Sequence, residues 1–186
     1  MKKLTILLAA VLALGTLSCT KKSQAAATEK NPSVENVQDA NAAYKVKNIS
    51  PTLKGADILP AITKDYAGKV VLIDFWATWC PPCRAAMKSI DEIKPALAKK
   101  GCAFVYVTGE TSPEATWKQM ITAIDGDHYR LTKEQWNELI AQLGIPGIPA
   151  YLLLNKDGSV AFSNLNEGGY PGNEIIQNNI EVALTK

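Results

Sequence analysis

Residues 71–84 read VLIDFWATWCPPCR: an apolar, β-branched run, broken by one carboxylate, that ends in two cysteines separated by two prolines. The stretch from Lys69 to Phe75 suits a strand buried on both faces of a sheet. A C-x-x-C pair where such a strand gives way to a helix sets the first sulfur beside unpaired backbone N–H groups at the positive helix end. That lowers the thiol pKa, so Cys80 is the expected attacking thiolate. Cys83, one turn along, is the expected resolving thiol, and the two form a redox disulfide. A purely structural staple fits poorly, because so short a loop gains little entropy from closure. Zinc would want a second C-x-x-C or paired histidines. The chain has one histidine, His128, and one further cysteine in this region, Cys102. Copper held by the pair and His128, as in a metal chaperone, stays open as an alternative.

Outward from this stretch, strand and helix signals alternate. Ala86, Ile90, Ile93 and Leu97 recur at helical spacing up to Gly101, with Pro95 expected to kink the helix or end its last turn. CAFVYV (102–107) reads as a second buried strand. SPEATWKQMITAI (112–124) reads as a helix with Ser112 as N-cap and Pro113 in its first turn. TKEQWNELIAQLG (132–144) carries a capping box from Thr132 to Gln135, an apolar face of Trp136, Leu139, Ile140 and Leu143, and a closing Gly144. AYLLL, the turn NKDG and SVAFS (150–163) form a hairpin, followed by an amphipathic helix over 173–184. This order predicts an α/β fold with a central mixed sheet flanked by helices.

The chain has 186 residues, 47% hydrophobic and 20% charged, which suits one globular core plus ends. Lys2 and Lys3 account for the formal charge of +2, and beyond residue 18 the balance is 18 basic to 18 acidic. Nothing in that balance calls for nucleic acid. Residues 1–18 read as a signal peptide: a basic start, then an apolar stretch too short for a resident membrane helix. TLSC (16–19) followed by TKKS resembles a bacterial lipoprotein cleavage box, with Cys19 lipidated, although Thr16 stands where such boxes usually carry Leu. The alternative is cleavage near AAA (25–27) and a soluble periplasmic protein. Residues 19–45 read as a tether and 46–186 as the folded domain.

VLIDFWATWCPPCR is similar to the active-site segment of the thioredoxin superfamily. WCPPCR, the leader and VTGE (107–110) before an added helical segment resemble the membrane-tethered TlpA/ResA-type thiol–disulfide oxidoreductases. GIPGIPAYLLL (144–154) resembles the family's cis-proline segment, with Pro149 as the cis residue after Ile148. The resemblance covers about residues 50–186. It implies a thioredoxin-like fold, with the added helical segment before the cis-proline strand. It also implies that the Pro149 segment pairs with an extended substrate peptide as an added strand. Trp79, Pro81, Pro82 and Ile148 then fall on the substrate-docking surface. Asp74, six residues before Cys80, matches the buried aspartate thought to take the proton of the resolving thiol. Burial would raise its pKa toward neutrality for that role. The alternative is a strand-end residue that caps a turn.

The chain departs from the ResA pattern at Ala86, where relatives often carry Glu, and at Lys88, where a proline is expected. This puts an affinity for apocytochrome cysteines in doubt. Cys102 is expected as a small buried hydrophobe, His128 in a solvated loop, and Trp117 and Trp136 in packing. Pro81 and Pro82 each lack an N–H that would stabilise the Cys80 thiolate, which favours a reducing pair. The expected protein is a monomeric, periplasm-facing, lipid-anchored reductase of disulfides in exported proteins. No nicotinamide or flavin motif appears and no cofactor is expected, so a membrane thiol donor must recharge it. An oxidase or isomerase of the same fold is the alternative direction.

Overall fold

Strand β2 (Val70–Phe75) is buried at every position. An unbroken apolar run needs cover on both faces, and in the computed structural model, which describes residues 43–186, helices supply it. In chain order the other elements are β1 (Tyr44–Lys47), α1 (Ile58–Thr63), α2 (Pro81–Lys99), β3 (Cys102–Gly109), α3 (Glu114–Ile121), β4 (Gly126–Leu131), α4 (Lys133–Leu143), β5 (Ala150–Leu154), β6 (Val160–Ser163) and α5 (Asn173–Thr185). The six strands lie in the order β1-β4-β3-β2-β5-β6. β2 runs parallel to β3 and antiparallel to β5, so the sheet is mixed, as expected.

Alternation along β2 divides the core in two. Val70, Leu72 and Trp76 pack on one face with Cys83, Met87 and Ile90 of α2, Trp117 of α3, and Ile176 and Ile180 of α5. Val71, Ile73 and Phe75 pack on the other with Ile58 and Ile62 of α1 and Leu139 of α4. Each such fully buried side chain contributes about 1.5–3 kcal/mol. The capping box of α4 is present, with Thr132 accepting from the Gln135 N–H, and Gly144 closes the helix in the left-handed region at φ 63°.

Several expectations are corrected. The fold already begins at Tyr44, inside the stretch assigned to the tether, because β1 pairs in parallel with β4. The leader, Cys19 and most of the tether lie outside the described residues. Between β3 and β5 the added segment is helix–strand–helix, not helices alone. Its strand is the supposed loop around His128. That side chain is fully buried, its Nε2 2.8 Å from the Ile124 carbonyl oxygen, its ring stacked on Tyr106 at 4.9 Å. The polar lettering of DGDHYR hid a strand covered on both faces, with His128 buried on one and Tyr129 and Leu131 in the core cluster on the other. α2 runs through Pro95 to Lys99, because the ring costs one backbone hydrogen bond in a helix already anchored by its apolar stripe. Ser112 does not cap α3; its side chain turns inward.

Burial pushes the His128 imidazole down from its ordinary 6.5 to about 4, against the opposing pull of the Ile124 hydrogen bond. The stability this contributes is present in full above pH 6.5 and is lost as pH falls toward 4, a span worth about 3 kcal/mol. His128→Phe should therefore lose less stability than the unaltered protein between pH 7 and pH 4, as read by urea unfolding at both values.

Candidate functional site

β2 delivers the chain to a tight turn in which the Cys80 N–H donates to the Ala77 carbonyl at 3.1 Å. Cys80 then stands as the N-cap of α2, with Pro81 and Pro82 in the first turn where their missing N–H groups cost nothing. The Cys83 N–H, the first amide after the prolines, points at the Cys80 sulfur at 3.2 Å. Cys80 and Cys83 are joined as a disulfide. Both are buried, whereas Trp79 is 58% exposed and Pro81 and Pro82 are exposed beside it. Trp76, by contrast, is fully buried.

The second motif comes to the same place. The Ile148–Pro149 peptide bond is cis. The Ile148 carbonyl oxygen lies 3.7 Å from the Cys80 sulfur. The Pro149 carbonyl is already taken by the Gly169 N–H at 2.7 Å, so Ile148 is the residue of this segment whose backbone faces the cysteines. Gly168 has φ 68°, and a Cβ there would approach the Gly147 carbonyl to 3.0 Å, so the loop requires glycine. Asn164 ties this arrangement together by accepting from the Tyr151 N–H at 2.8 Å and donating to the Gly169 carbonyl at 2.8 Å.

Asp74 is 2% exposed, and neither carboxylate oxygen has a hydrogen-bond partner among the described residues, which removes the turn-capping alternative. It lies between Leu72 and Trp76 on the alternating strand, hence on the face that packs the two cysteines. Its register partners are Tyr106 on β3 and Tyr151 on β5. Burial drives its pKa well above the ordinary carboxylate range, and the Lys94 ammonium pulls the other way. Lys94 is itself only 5% exposed. It meets Asp91 at 2.5 Å and donates to the Asp125 carbonyl at 3.2 Å.

Sequence reasoning passed over Lys94 and Asn164 and gave Ser112 a helix-capping role instead of its contact with the active-site loop. Lys94 was findable, since it continues the helical stripe Cys83, Met87, Ile90, Leu97 as a cation among apolar residues. The Ser112 hydroxyl accepts from the Thr78 N–H at 3.0 Å and pairs with Thr108 Oγ1 at 2.8 Å, pinning the loop before Cys80 to the end of β3. Nothing local marks that contact, nor the Asn164 clamp. Cys102 is buried, and burial pushes its thiol up to about 12. Among the described residues no three His, Cys, Asp or Glu side chains converge as a metal site, so the structure does not bring His128 to the cysteine pair.

Two expected outcomes follow from this geometry. Ser112→Ala leaves the buried Thr78 N–H without its acceptor, and it should cost about 1–3 kcal/mol in denaturant unfolding and speed hydrogen exchange at that amide. Burial raises the Asp74 pKa in the fold above its unfolded value, so the group detracts from stability increasingly as pH rises above 3.8. Asp74→Asn should thus be more stable than the unaltered protein at pH 8, with the gain shrinking toward pH 4.

The Redoxin family profile matches residues 26–171. A "Thiol-disulfide oxidoreductase ResA" of Bacillus thuringiensis is 30% identical over 97 residues, 52% of this chain and 55% of that protein. The chain thus spans about half the length of the curated relatives it matches. Among solved structures, the thioredoxin domain of a thiol-disulfide oxidoreductase from Bacteroides vulgatus aligns at TM-score 0.57 and 24% identity, over 65% of this chain and 83% of that one. A thiol:disulfide interchange protein from Bacteroides sp. aligns at 0.55 and 24%, over 66% and 77%. These likenesses carry the fold, which is thioredoxin-like.

Proposed function

The chain belongs to the Redoxin family, and from that premise we propose that it is an extracytoplasmic thiol–disulfide oxidoreductase that reduces disulfides in exported proteins. The observation that carries the reading is the cysteine pair at the head of α2, with the Cys83 N–H 3.2 Å from the Cys80 sulfur. That amide and the helix end favour negative charge on Cys80 once the disulfide opens.

In the reduced protein the Cys80 thiolate attacks one sulfur of a substrate disulfide. A mixed disulfide forms and one substrate thiolate leaves. Cys83 then attacks the Cys80 sulfur, the second substrate thiolate leaves, and the protein keeps the Cys80–Cys83 disulfide. Two electrons pass to the substrate. Asp74 accepts the Cys83 proton in this second step, a role supported by its raised pKa on the face that packs the cysteines. The Ile148 carbonyl and the exposed Trp79, Pro81 and Pro82 receive the substrate backbone beside the sulfur, with Pro149 shaping the segment that does so. A membrane thiol donor restores the dithiol. The lipid anchor at Cys19 and the periplasmic location belong to the same reading and rest on the sequence of the leader.

Among the described residues one backbone donor faces the Cys80 sulfur, because Pro81 and Pro82 supply none, and this supports the reducing direction. Equilibration of the chain in glutathione buffers, followed by Trp fluorescence and thiol trapping, should give a midpoint at or below about −230 mV. A midpoint above about −180 mV would replace this reading with an oxidase or isomerase. Cys83→Ser should accumulate the mixed disulfide, and Cys80→Ser should not react.

A further inference from the structure

A groove of about 780 Å³ runs between α2 and α3, beginning at Pro81, the residue that follows Cys80. Its floor is apolar and adaptable: Met87 from α2, Met120 from α3 and Ile124 from the turn that follows α3. Its α2 wall exposes Arg84 and Lys88, one turn apart on the same helical face. Neither makes an ion pair among the described residues. The one acid on the wall, Asp91, is held by the buried Lys94 at 2.5 Å. Two uncompensated cations therefore stand over an apolar floor, in a chain whose residues after the leader balance 18 bases against 18 acids. The field at this groove is local, not a reflection of net charge.

From Pro81 to Asp91 the helix rises about 15 Å, the length of four or five extended residues. A substrate chain whose cysteine reaches Cys80 can lay that many flanking residues along the groove. We propose that this groove is the specificity surface of the site and that its occupant is an acidic, apolar segment flanking the cysteine of the substrate protein. This rests on the thiol–disulfide reading above and adds the class of sequence that the site prefers. Aspartate or glutamate side chains pair with Arg84 and Lys88, while neighbouring apolar side chains settle against the two methionines.

The test uses the full chain in its reduced form and short peptides, each with one cysteine capped as a mixed disulfide with mercaptoethanol. One peptide carries Asp and Leu around the cysteine, the other Lys and Leu. At low ionic strength the acidic peptide should be reduced about tenfold faster than the basic one, a difference of about 1.4 kcal/mol. The double variant Arg84→Glu/Lys88→Glu should reverse the ratio, whereas Lys64→Glu, outside the groove, should preserve it. Because the ratio compares two peptides on one variant, any change that the charges cause at Cys80 itself cancels. Ala123→Trp, which fills the groove, should slow both peptides without slowing the small neutral disulfide bis(2-hydroxyethyl) disulfide. A ratio near one in the unaltered chain, or one that survives the double charge reversal, overturns the proposal. If even the small disulfide is not reduced, the thiol–disulfide reading fails by itself. Fluorescence anisotropy of labelled peptides with Ser in place of Cys then decides the groove: tighter binding of the acidic peptide sustains it, and equal binding overturns it.

Discussion

The double-sided pairing of β2 is the constraint from which the rest of the molecule hangs. Its backbone is hydrogen-bonded to β3 on one side and β5 on the other, and both its faces are covered. The strand cannot shift by one residue without carrying Leu72 and Ile73 to the wrong faces. The ladder continues one step beyond the strand, where the Trp76 N–H donates to the Val107 carbonyl at 3.0 Å. Cys80 follows four residues later, so its position inherits the rigidity of the sheet centre. β5, the other neighbour, begins immediately after Pro149, and that fixes the Ile148 carbonyl against the same sulfur. A site assembled from residues 68 apart in sequence is thereby held by one strand.

The same placement has an electrostatic cost. Tyr151, Asp74, Tyr106 and His128 occupy one row across four strands, β5, β2, β3 and β4. Burial pushes the aspartate and both tyrosines up and the histidine down, so in every case it favours the uncharged form. Lys94 is the exception, a cation packed over the Tyr106 ring at 5.2 Å and neutralised by Asp91. Within the row Asp74 is the acid whose raised pKa makes its carboxylate a stronger base than an ordinary aspartate. That is the condition a proton acceptor of intermediate strength requires.

How much of this was legible in the sequence depends on whether the signal is periodic or contingent. β2, the stripe of α2 and the capping box of α4 all repeat at the spacing their geometry imposes, and the two motifs carry the cysteines and Pro149 to the same place. The polar strand β4 failed, because a histidine reads as a surface residue unless its neighbours across the sheet are known. Tyr44–Lys47 failed for a related reason: a four-residue edge strand has too few residues for alternation to register. Ser112 shows the limit of local reading. Its position before Pro113 satisfies every rule for an N-cap, yet the hydroxyl is claimed by Thr78 and Thr108, and the latter lies on a strand that the chain has already left.

Cys102 offers a last consequence. A third cysteine lies within the same core cluster as the other two. Burial at the head of β3 pushes that thiol up to about 12, which favours its protonated, unreactive form. Among the described residues, Cys102 is therefore a poor rival to Cys83 for the mixed disulfide that the proposed exchange forms on Cys80. Fidelity of exchange is secured by silence at one sulfur as much as by reactivity at another.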